Sequence, residues 1–540
     1  MPPTTRTTIV RPADLELRAA LRLAATFAAI KLLLHFALTL YTTHIGYGYF
    51  RDEFYYIACG HHLAWGFVDH GPIVALQARL GQILFGDSVF AIRILSATAG
   101  AIMVGLGGLV AWALGGRRPA QALAMIGLIV VPQYIGVDGF LSMNSCEPVF
   151  WTACLLCIVM LVRDSTAPGS STVRWWILFG ISAGIGLLNK PSMAFFLIAL
   201  GFGLLVTSQR KILFTRWAAL GFGLLIVVVL PNLIWQIHNH WPTLEFLRNG
   251  RKGGKNSILT PLQFFLAQWT NMHPLTAFLW VTGIVATLRA KSIANARWLG
   301  ATYLFFYVGM NAIHAKDYYL AGIYPALFAA GAIAWEHRFA ARRWVRQGRT
   351  FAFPAFELSL ILTGILILPM SSPVLRPADW VRYTSAMHLH TQNSETASTG
   401  PLPQFFADRF GWNEQVALVL QAYRSLTPEE QQRVCLFAGN YGEAGAIDFL
   451  GPMQQPNLHP AMSGQNSYYT WGTHGCDPNI SIAVISDTLE EISLKYADVR
   501  IVGKPTNPSA MPFENRRTVY LLRDRRPSAP FHWEDERFYY

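Results

Sequence analysis

Apolar residues fall in long blocks from about residue 23 to residue 370, at about 23–43, 88–112, 119–136, 148–162, 175–189, 191–208, 217–236, 262–288, 298–313, 319–336 and 351–370. A helix needs about 20 residues to cross about 30 Å of hydrocarbon. Most blocks meet this length, while 148–162 and 175–189 are short. The first block is too long for a signal-peptide core and has no clear cleavage site, so it reads as a retained spanning helix. Beyond 370 the pattern changes. Stretches 434–437, 481–485, 499–502 and 518–522 read as strands. Stretches 412–425, 442–450 and 488–496 read as helices. The expected fold is a polytopic α-helical membrane protein of about 11 spanning helices, with a long first outer loop and a C-terminal soluble α/β domain. Its parts are an N-terminus at 1–22, a multispanning module at 23–370 that includes the loop 44–87, and the soluble domain at 371–540. Segment 389–404 reads as an ordered polar surface loop.

The chain has 540 residues, 52% of them hydrophobic and 14% charged. Soluble domains carry about 25% charged residues. An all-soluble enzyme, a disordered chain, a collagen and a disulfide-dense mini-protein are therefore excluded. The net charge of +12 could suggest nucleic acid, but its distribution argues otherwise. Arg6, Arg11, Arg18 and Arg22 precede the first block. Alternate loops then hold Arg117 and Arg118; Arg163 and Arg174; Arg210, Lys211 and Arg216; Arg289, Lys291 and Arg297; and Arg338, Arg342, Arg343, Arg346 and Arg349. By the positive-inside rule these loops are cytoplasmic. Segments 44–87, 137–147, 237–261 and 314–318, with Lys190, lie on the opposite side of a plasma (inner) membrane. With eleven spans the C-terminal domain is extracytoplasmic too; one span more or less reverses that side. Cys154 and Cys157 sit in an apolar helix and read as packing residues. Cys435 and Cys476 would be free to pair in an oxidising compartment, although spacing alone does not bring them together.

The chemistry gathers on the outer side. The first loop opens with Arg51-Asp52-Glu53-Phe54-Tyr55-Tyr56, two carboxylates among aromatics suited to a membrane interface. A carboxylate held there can act as a general base toward a hydroxyl; a solvated pair neutralised by Arg51 is the alternative. The same loop carries His61, His62, Asp69 and His70, which raise the question of a metal but fit no closed zinc template. After Glu147 the charge-free run reaches only Val162. At about 1.5 Å per residue it covers about 22 Å, which puts Glu147 below the outer surface. Arg174 and Lys190 bracket another short run, so Lys190 also lies at membrane depth, either paired with Glu147 or facing a lipid phosphate. Loop 237–261 is basic and Gly-rich, with Arg248, Arg251, Lys252 and Lys255. It reads as a flexible loop for an anionic head group. Lys316 adds a cation near Asp317 and Tyr318. Lys31 and His35 lie one turn apart within the first span. Cations that hold a phosphate leaving group, beside a carboxylate that activates a hydroxyl, suit a reaction on a membrane-embedded phosphate ester.

Asp52-Glu53-x-Tyr55-Tyr56 followed by Gly66-Phe67-Val68-Asp69-x-x-Pro72 resembles the C-type superfold glycosyltransferases. The nearest group is the family of dolichyl-phosphate-mannose–protein mannosyltransferases and bacterial lipid A aminoarabinose transferases. Phe140-Leu141-Ser142-Met143-Asn144 with Glu147-Pro148, Gly186-Leu187-Leu188-x-Lys190, and Lys316-Asp317-Tyr318-Tyr319-Leu320 fall where that family has recurrent segments. The resemblance covers about 1–340. Asn440-Tyr441-Gly442-Glu443-Ala444 and Tyr468-Tyr469-x-Trp471-Gly472 resemble bacterial members. Position 71 is Gly where a second Pro is common, and His61-His62 is not a family feature.

The resemblance implies inverting transfer of a sugar from a polyprenyl-phosphate donor to a hydroxyl on a protein, lipid A or glycan acceptor. It implies Asp52 as base, with Glu53 and Glu147 as further catalytic carboxylates. Lys190, Arg248, Arg251, Lys252, Lys255 and Lys316 would bind the donor phosphate. Tyr55, Tyr56, His61, His62, Asp69, Asp317 and Tyr318 would face acceptor or sugar. It names no certain cofactor and leaves a divalent cation open. The competing classes are a lipid or solute transporter, which often carries an internal repeat that is not detected here, and a membrane-anchored binding module.

Overall fold

The computed structural model describes residues 13–165, 171–253, 259–340, 352–388 and 400–540. Among the described residues every apolar block is largely helical, but the blocks do not all make single spans. The first fifteen α-helices are α1 (Ala13–His44), α2 (Arg51–His61), α3 (Pro72–Phe85), α4 (Val89–Ala113), α5 (Arg118–Ile129), α6 (Pro132–Val137), α7 (Met143–Ser165), α8 (Val173–Asn189), α9 (Met193–Leu205), α10 (Arg216–His238), α11 (Pro242–Lys252), α12 (Pro261–Asn271), α13 (Ala277–Arg289), α14 (Arg297–Ala312) and α15 (Tyr324–Ala340). Another helix runs Ala352–Ser371.

Among the described residues, six helices are long and apolar enough to cross a membrane, or seven if one bent pair counts as a span. The expected eleven are not matched because several blocks are broken. Pro132 opens α6 and stops α5 from continuing. The block after Lys190 turns by 118° between α9 and the 3-10 helix Ser208–Phe214. The 262–288 block breaks at His273, whose φ is +70°. Apolar pattern alone does not distinguish one long helix from two short ones.

Helix α1 packs on α4, α4 on α7, α8 on α10, α9 on α14 and α13 on α15. The bundle core is filled by Trp151, Trp176, Trp280, Trp298, Tyr134 and Tyr324, all fully buried. Helix α10 turns Ile226, Val227, Leu230, Ile234 and Ile237 outward. A soluble protein would not expose such a face.

The C-terminal part holds one mixed sheet of β1 (Val434–Ala438), β2 (Ala461–Met462), β3 (Asp477–Ile485), β4 (Tyr496–Gly503) and β5 (Thr518–Arg525), in the order β2-β1-β3-β5-β4. Strand β1 is parallel to β2 and β3, and β5 runs antiparallel to β3 and β4. Four strands fall where the alternation puts them; the two-residue β2 is too short to leave a pattern. The helices Trp412–Arg424, Tyr441–Leu450 and Leu489–Lys495 also match expectation. Of the expected surface loop, 389–399 lies outside the described residues, and 12 residues of the 1–22 terminus do too. Cys435 on β1 and Cys476 beside β3 are disulfide-bonded across 41 residues.

The first outer loop is two helices, α2 and α3, wedged between bundle and sheet domain. One buried ion pair fixes it. Arg93 of α4 donates Nε to Glu53 Oε1 and Nη2 to Glu53 Oε2, each at 2.8 Å. Leu141 N and Phe50 N donate to the same two oxygens, also at 2.8 Å. Burial alone would raise the Glu53 pKa; the Arg93 guanidinium and the Leu141 amide overrule it and hold it below the ordinary range.

Two stability outcomes follow. Arg93→Met leaves the Glu53 carboxylate buried without a counter-ion, at a cost of about 3–5 kcal/mol. Thermal melting in detergent should show a large loss for Arg93→Met and partial recovery when Glu53→Gln is added. Joint Cys435→Ser and Cys476→Ser releases a long closed loop and should destabilise the sheet domain by about 4 kcal/mol, read as a lower melting temperature that reductant no longer changes.

Candidate functional site

Helix α2 starts at Phe50, in extended backbone, with Asp52 and Glu53 in its first turn. Neighbouring helical residues point about 100° apart, so the two carboxylates face different surroundings. Glu53 turns inward to Arg93. It is a structural anchor and not a second reacting carboxylate, because its oxygens are committed and its side chain is 0% exposed. Asp52 keeps 28% exposure. Its Oδ1 accepts from the Tyr441 hydroxyl at 2.9 Å and lies 3.5 Å from Arg51 Nε. Its Oδ2 has no hydrogen bond among the described residues.

Asp69 stands in the turn before α3, and its Oδ1 accepts from the Tyr55 hydroxyl at 2.7 Å. The rings of Tyr55 and Tyr441 lie 4.6 Å apart. Two carboxylates are therefore each held by a tyrosine, and the two tyrosines touch. Tyr56 is buried edge-on to His70, 5.2 Å between ring centres. His70 has Nδ1 2.7 Å from the Gly71 carbonyl, so Nδ1 carries the proton. Its buried Nε2 has no partner among the described residues. Burial lowers its pKa, which keeps the ring neutral at pH 7.

Gly71 explains how this turn meets the next cluster. A Cβ there would stand 1.9 Å from the Leu188 carbonyl oxygen, so no larger residue fits. Two residues beyond Leu188 is Lys190. Its Nζ lies 2.9 Å from Glu147 Oε2 and 2.8 Å from Asn144 Oδ1. Ser192 donates to Glu147 Oε1. The Tyr318 and Tyr319 rings flank the ammonium at 5.1 and 4.5 Å. The alternative in which Glu147 and Lys190 pair is therefore the observed one. Asp317 accepts from Asn271 Nδ2 at 2.8 Å and holds this turn in place. Lys316 is partly buried next to it.

Other expected groups stand elsewhere. The segment with Arg248, Arg251 and Lys252 is helix α11 and not a flexible loop. Pro242 at its first position, Glu245 in its first turn and Arg251 and Lys252 in its last turn all favour a helix. The three cations are exposed, beside exposed Leu244 and Leu247, and no hydrogen bond or ion pair among the described residues joins them to Asp52 or Lys190. Basic and apolar exposure together suit a helix lying at a lipid interface. Lys255 lies outside the described residues. His61 is exposed beside Arg79, and His62 stacks on Trp471 at 4.2 Å. Among the described residues no three His, Cys, Asp or Glu side chains are grouped to hold a metal ion.

Sequence reasoning left Arg93, Ser192, Ser467 and Tyr441 without a role. Arg93 could have been found as the one cation inside the 88–112 block. Tyr441 lay in a segment that resembles bacterial members, but its role had no signal, because only the folded sheet domain brings it to Asp52.

The family described as dolichyl-phosphate-mannose-protein mannosyltransferase matches residues 69–235. An undecaprenyl phosphate-alpha-4-amino-4-deoxy-L-arabinose arabinosyl transferase of Pseudomonas aeruginosa is 31% identical over 180 residues, covering 31% of this chain and 30% of that protein. Its Pseudomonas fluorescens counterpart is 28% identical over 172 residues, covering 31% and 29%. The match thus spans under a third of these curated relatives. The crystal structure of ArnT from Cupriavidus metallidurans bound to undecaprenyl phosphate has a TM-score of 0.58 at 14% identity, over 94% of this chain and 99% of that one. That likeness covers bundle and sheet domain together, and at this identity it speaks for the fold alone. Fold and matched segment point the same way: residues 69–235 are similar to the dolichyl-phosphate-mannose-protein mannosyltransferase family, and the chain shares the fold of ArnT along nearly its whole length.

Proposed function

We propose that the chain is a membrane glycosyltransferase that moves a sugar from a polyprenyl-phosphate donor to an acceptor hydroxyl on the extracytoplasmic side of the inner membrane. The observation that carries this reading is the half-committed carboxylate of Asp52: one oxygen is held by Tyr441 and the other has no hydrogen bond among the described residues, in a loop whose Gly71 packs on Leu188, two residues before Lys190. The names of the relatives support a lipid-phosphate donor. The disulfide between Cys435 and Cys476 supports an oxidising compartment for the sheet domain, at 371–540.

In this mechanism Asp52 Oδ2 takes the proton of the acceptor hydroxyl. The freed oxygen attacks the anomeric carbon, and the bond from that carbon to the phosphate oxygen breaks. Attack opposite the leaving group inverts the configuration. The polyprenyl phosphate departs with the bonding electron pair. Lys190 has three N–H donors, two of them directed at Glu147 and Asn144, which leaves one for a phosphate oxygen. The α11 cations attract the lipid phosphate from the membrane surface, worth about 1 kcal/mol each. Asp69 and Tyr56 line the acceptor side. Glu53 keeps Asp52 in register through Arg93.

Asp52→Asn should keep donor binding and lower transfer by at least about 100-fold, the usual share of a general base. Purified protein in liposomes with a labelled polyprenyl-phosphate sugar measures it, and normal transfer would remove Asp52 as base. Lys190→Gln alone strands Glu147, so the donor test pairs it with Glu147→Gln. The donor KM should rise about 10–100-fold, as expected for loss of a charge-assisted hydrogen bond. An unchanged KM in a folded double variant would take Lys190 out of donor binding.

A further inference from the structure

We propose that the sheet domain completes the active site, with Tyr441 as a positioning residue that orients Asp52 for proton transfer. The inference rests on the function proposed above and goes beyond it by giving the C-terminal domain a part in the chemistry.

The argument begins at the end of β1. The chain leaves β1 at Ala438 and enters the helix Tyr441–Leu450 through Asn440. In open α/β sheets, functional groups gather at the carboxyl ends of the strands. The Asn440 side chain accepts from Gly442 N and Glu443 N, each at 2.9 Å, which fixes the first turn of that helix. Glu443 is tied in turn to Arg517 at 2.6 Å. Tyr441 therefore projects from a rigid turn. Gly442 lets that turn come close, since a Cβ there would stand 2.3 Å from Arg51 Cγ.

Hydrogen-bond direction then follows from donor counting. A guanidinium only donates, and Arg51 Nη2 lies 3.2 Å from the Tyr441 hydroxyl oxygen. The tyrosine oxygen accepts there, so its single proton goes to Asp52 Oδ1 at 2.9 Å. Oδ1 is occupied and Oδ2 becomes the proton-accepting face. The same domain holds the second carboxylate indirectly. Ser467 Oγ lies 2.8 Å from the Tyr55 hydroxyl and accepts from Val68 N at 3.2 Å. Ser467 N donates to the Tyr55 hydroxyl at 3.2 Å. The Tyr55 hydroxyl in turn holds Asp69. Asp52 directly and Asp69 through Tyr55 are thus set by residues about 400 positions away, at separations of 389 and 412.

The test uses the full chain in liposomes with a labelled polyprenyl-phosphate sugar. Tyr441→Phe removes the hydroxyl and keeps the ring on Tyr55. It should lower kcat at least about tenfold, the effect of a lost hydrogen bond to a charged group, with donor KM unchanged within about twofold and a small, measurable loss of melting temperature. Tyr441→Ala should add a loss of melting temperature. A purely structural tyrosine predicts the reverse, with Tyr441→Phe turning over like the wild type, and that result overturns the proposal. An activity-free arm keeps the two readings apart. Melting temperatures of Tyr441→Phe, Asp52→Asn and their combination should be non-additive, because the residues share one contact. Additive shifts overturn the proposal. Non-additive shifts in a wild-type chain that moves no sugar would uphold the contact and sink the glycosyltransferase reading instead.

Discussion

The buried pair between Glu53 and Arg93 is the constraint on which the rest of the site depends. Both side chains are almost wholly removed from water, at 0% and 2% exposure. Taking two charges out of water costs several kcal/mol per ion, and mutual attraction offsets this only when the remaining lone pairs are satisfied. Here four donors meet two oxygens, from α4, from the turn before α7 and from the start of α2 itself. Arg93 Nη2 also reaches the Gly48 carbonyl at 2.9 Å. The pair therefore joins three parts of the chain at one point. It leaves little room for further positive charge nearby: Arg409 of the sheet domain, buried in the same region, has its pKa pulled down to about 9 by burial and then by Arg93.

Adjacent carboxylates acquire opposite roles from this one anchor. Once Glu53 is locked inward, helix geometry decides where Asp52 points. The sheet domain then closes over that direction. Phe54, on the same helix, packs against Trp412 and Phe449, with ring centres 5.6 and 6.0 Å apart. Loop and domain consequently share one hydrophobic core. A domain attached only by a tether would not have this core, so the sheet domain and the outer loop are expected to hold or lose their geometry together.

The sequence made the large features legible where composition alone carries them. Lipid-facing and bundle-facing helices show as apolar blocks, and alternation marks β1, β3, β4 and β5. The short run after Glu147 pointed to an ionisable group in need of a partner, and Glu147 is buried in a pair with Lys190. Breaks within blocks were not legible, because Pro132 and His273 change the backbone without changing hydropathy. Helix α11 was masked by its cations and glycines, which read as a loop until its end charges are matched to its dipole. Tyr441 stood out only as part of a resembling segment, with no role attached to it. Its significance comes from a contact across 389 residues, and no local pattern encodes that.

One ten-residue stretch shows why these buried charges belong to a single design. Asp138 lies 3.1 Å from Lys31 of α1, and a Cβ on Gly100 of α4 would collide with its carboxylate. Three residues on, Leu141 N holds Glu53 of α2. Three further on, Asn144 holds Lys190 beyond α8, and Glu147 completes that pair. The stretch 138–147 thus grips α1, α2 and α8 in turn, at residues 138, 141, 144 and 147. Each grip is an ion pair or a charge-assisted bond in a poorly hydrated place, where a missing partner costs far more than at a surface. Mutual positioning of Asp52 and Lys190 therefore does not depend on loop stiffness. It depends on one short stretch, the turn after α6 and the first turn of α7, whose polar groups are committed to fixed charges on α1, on α2 and just beyond α8.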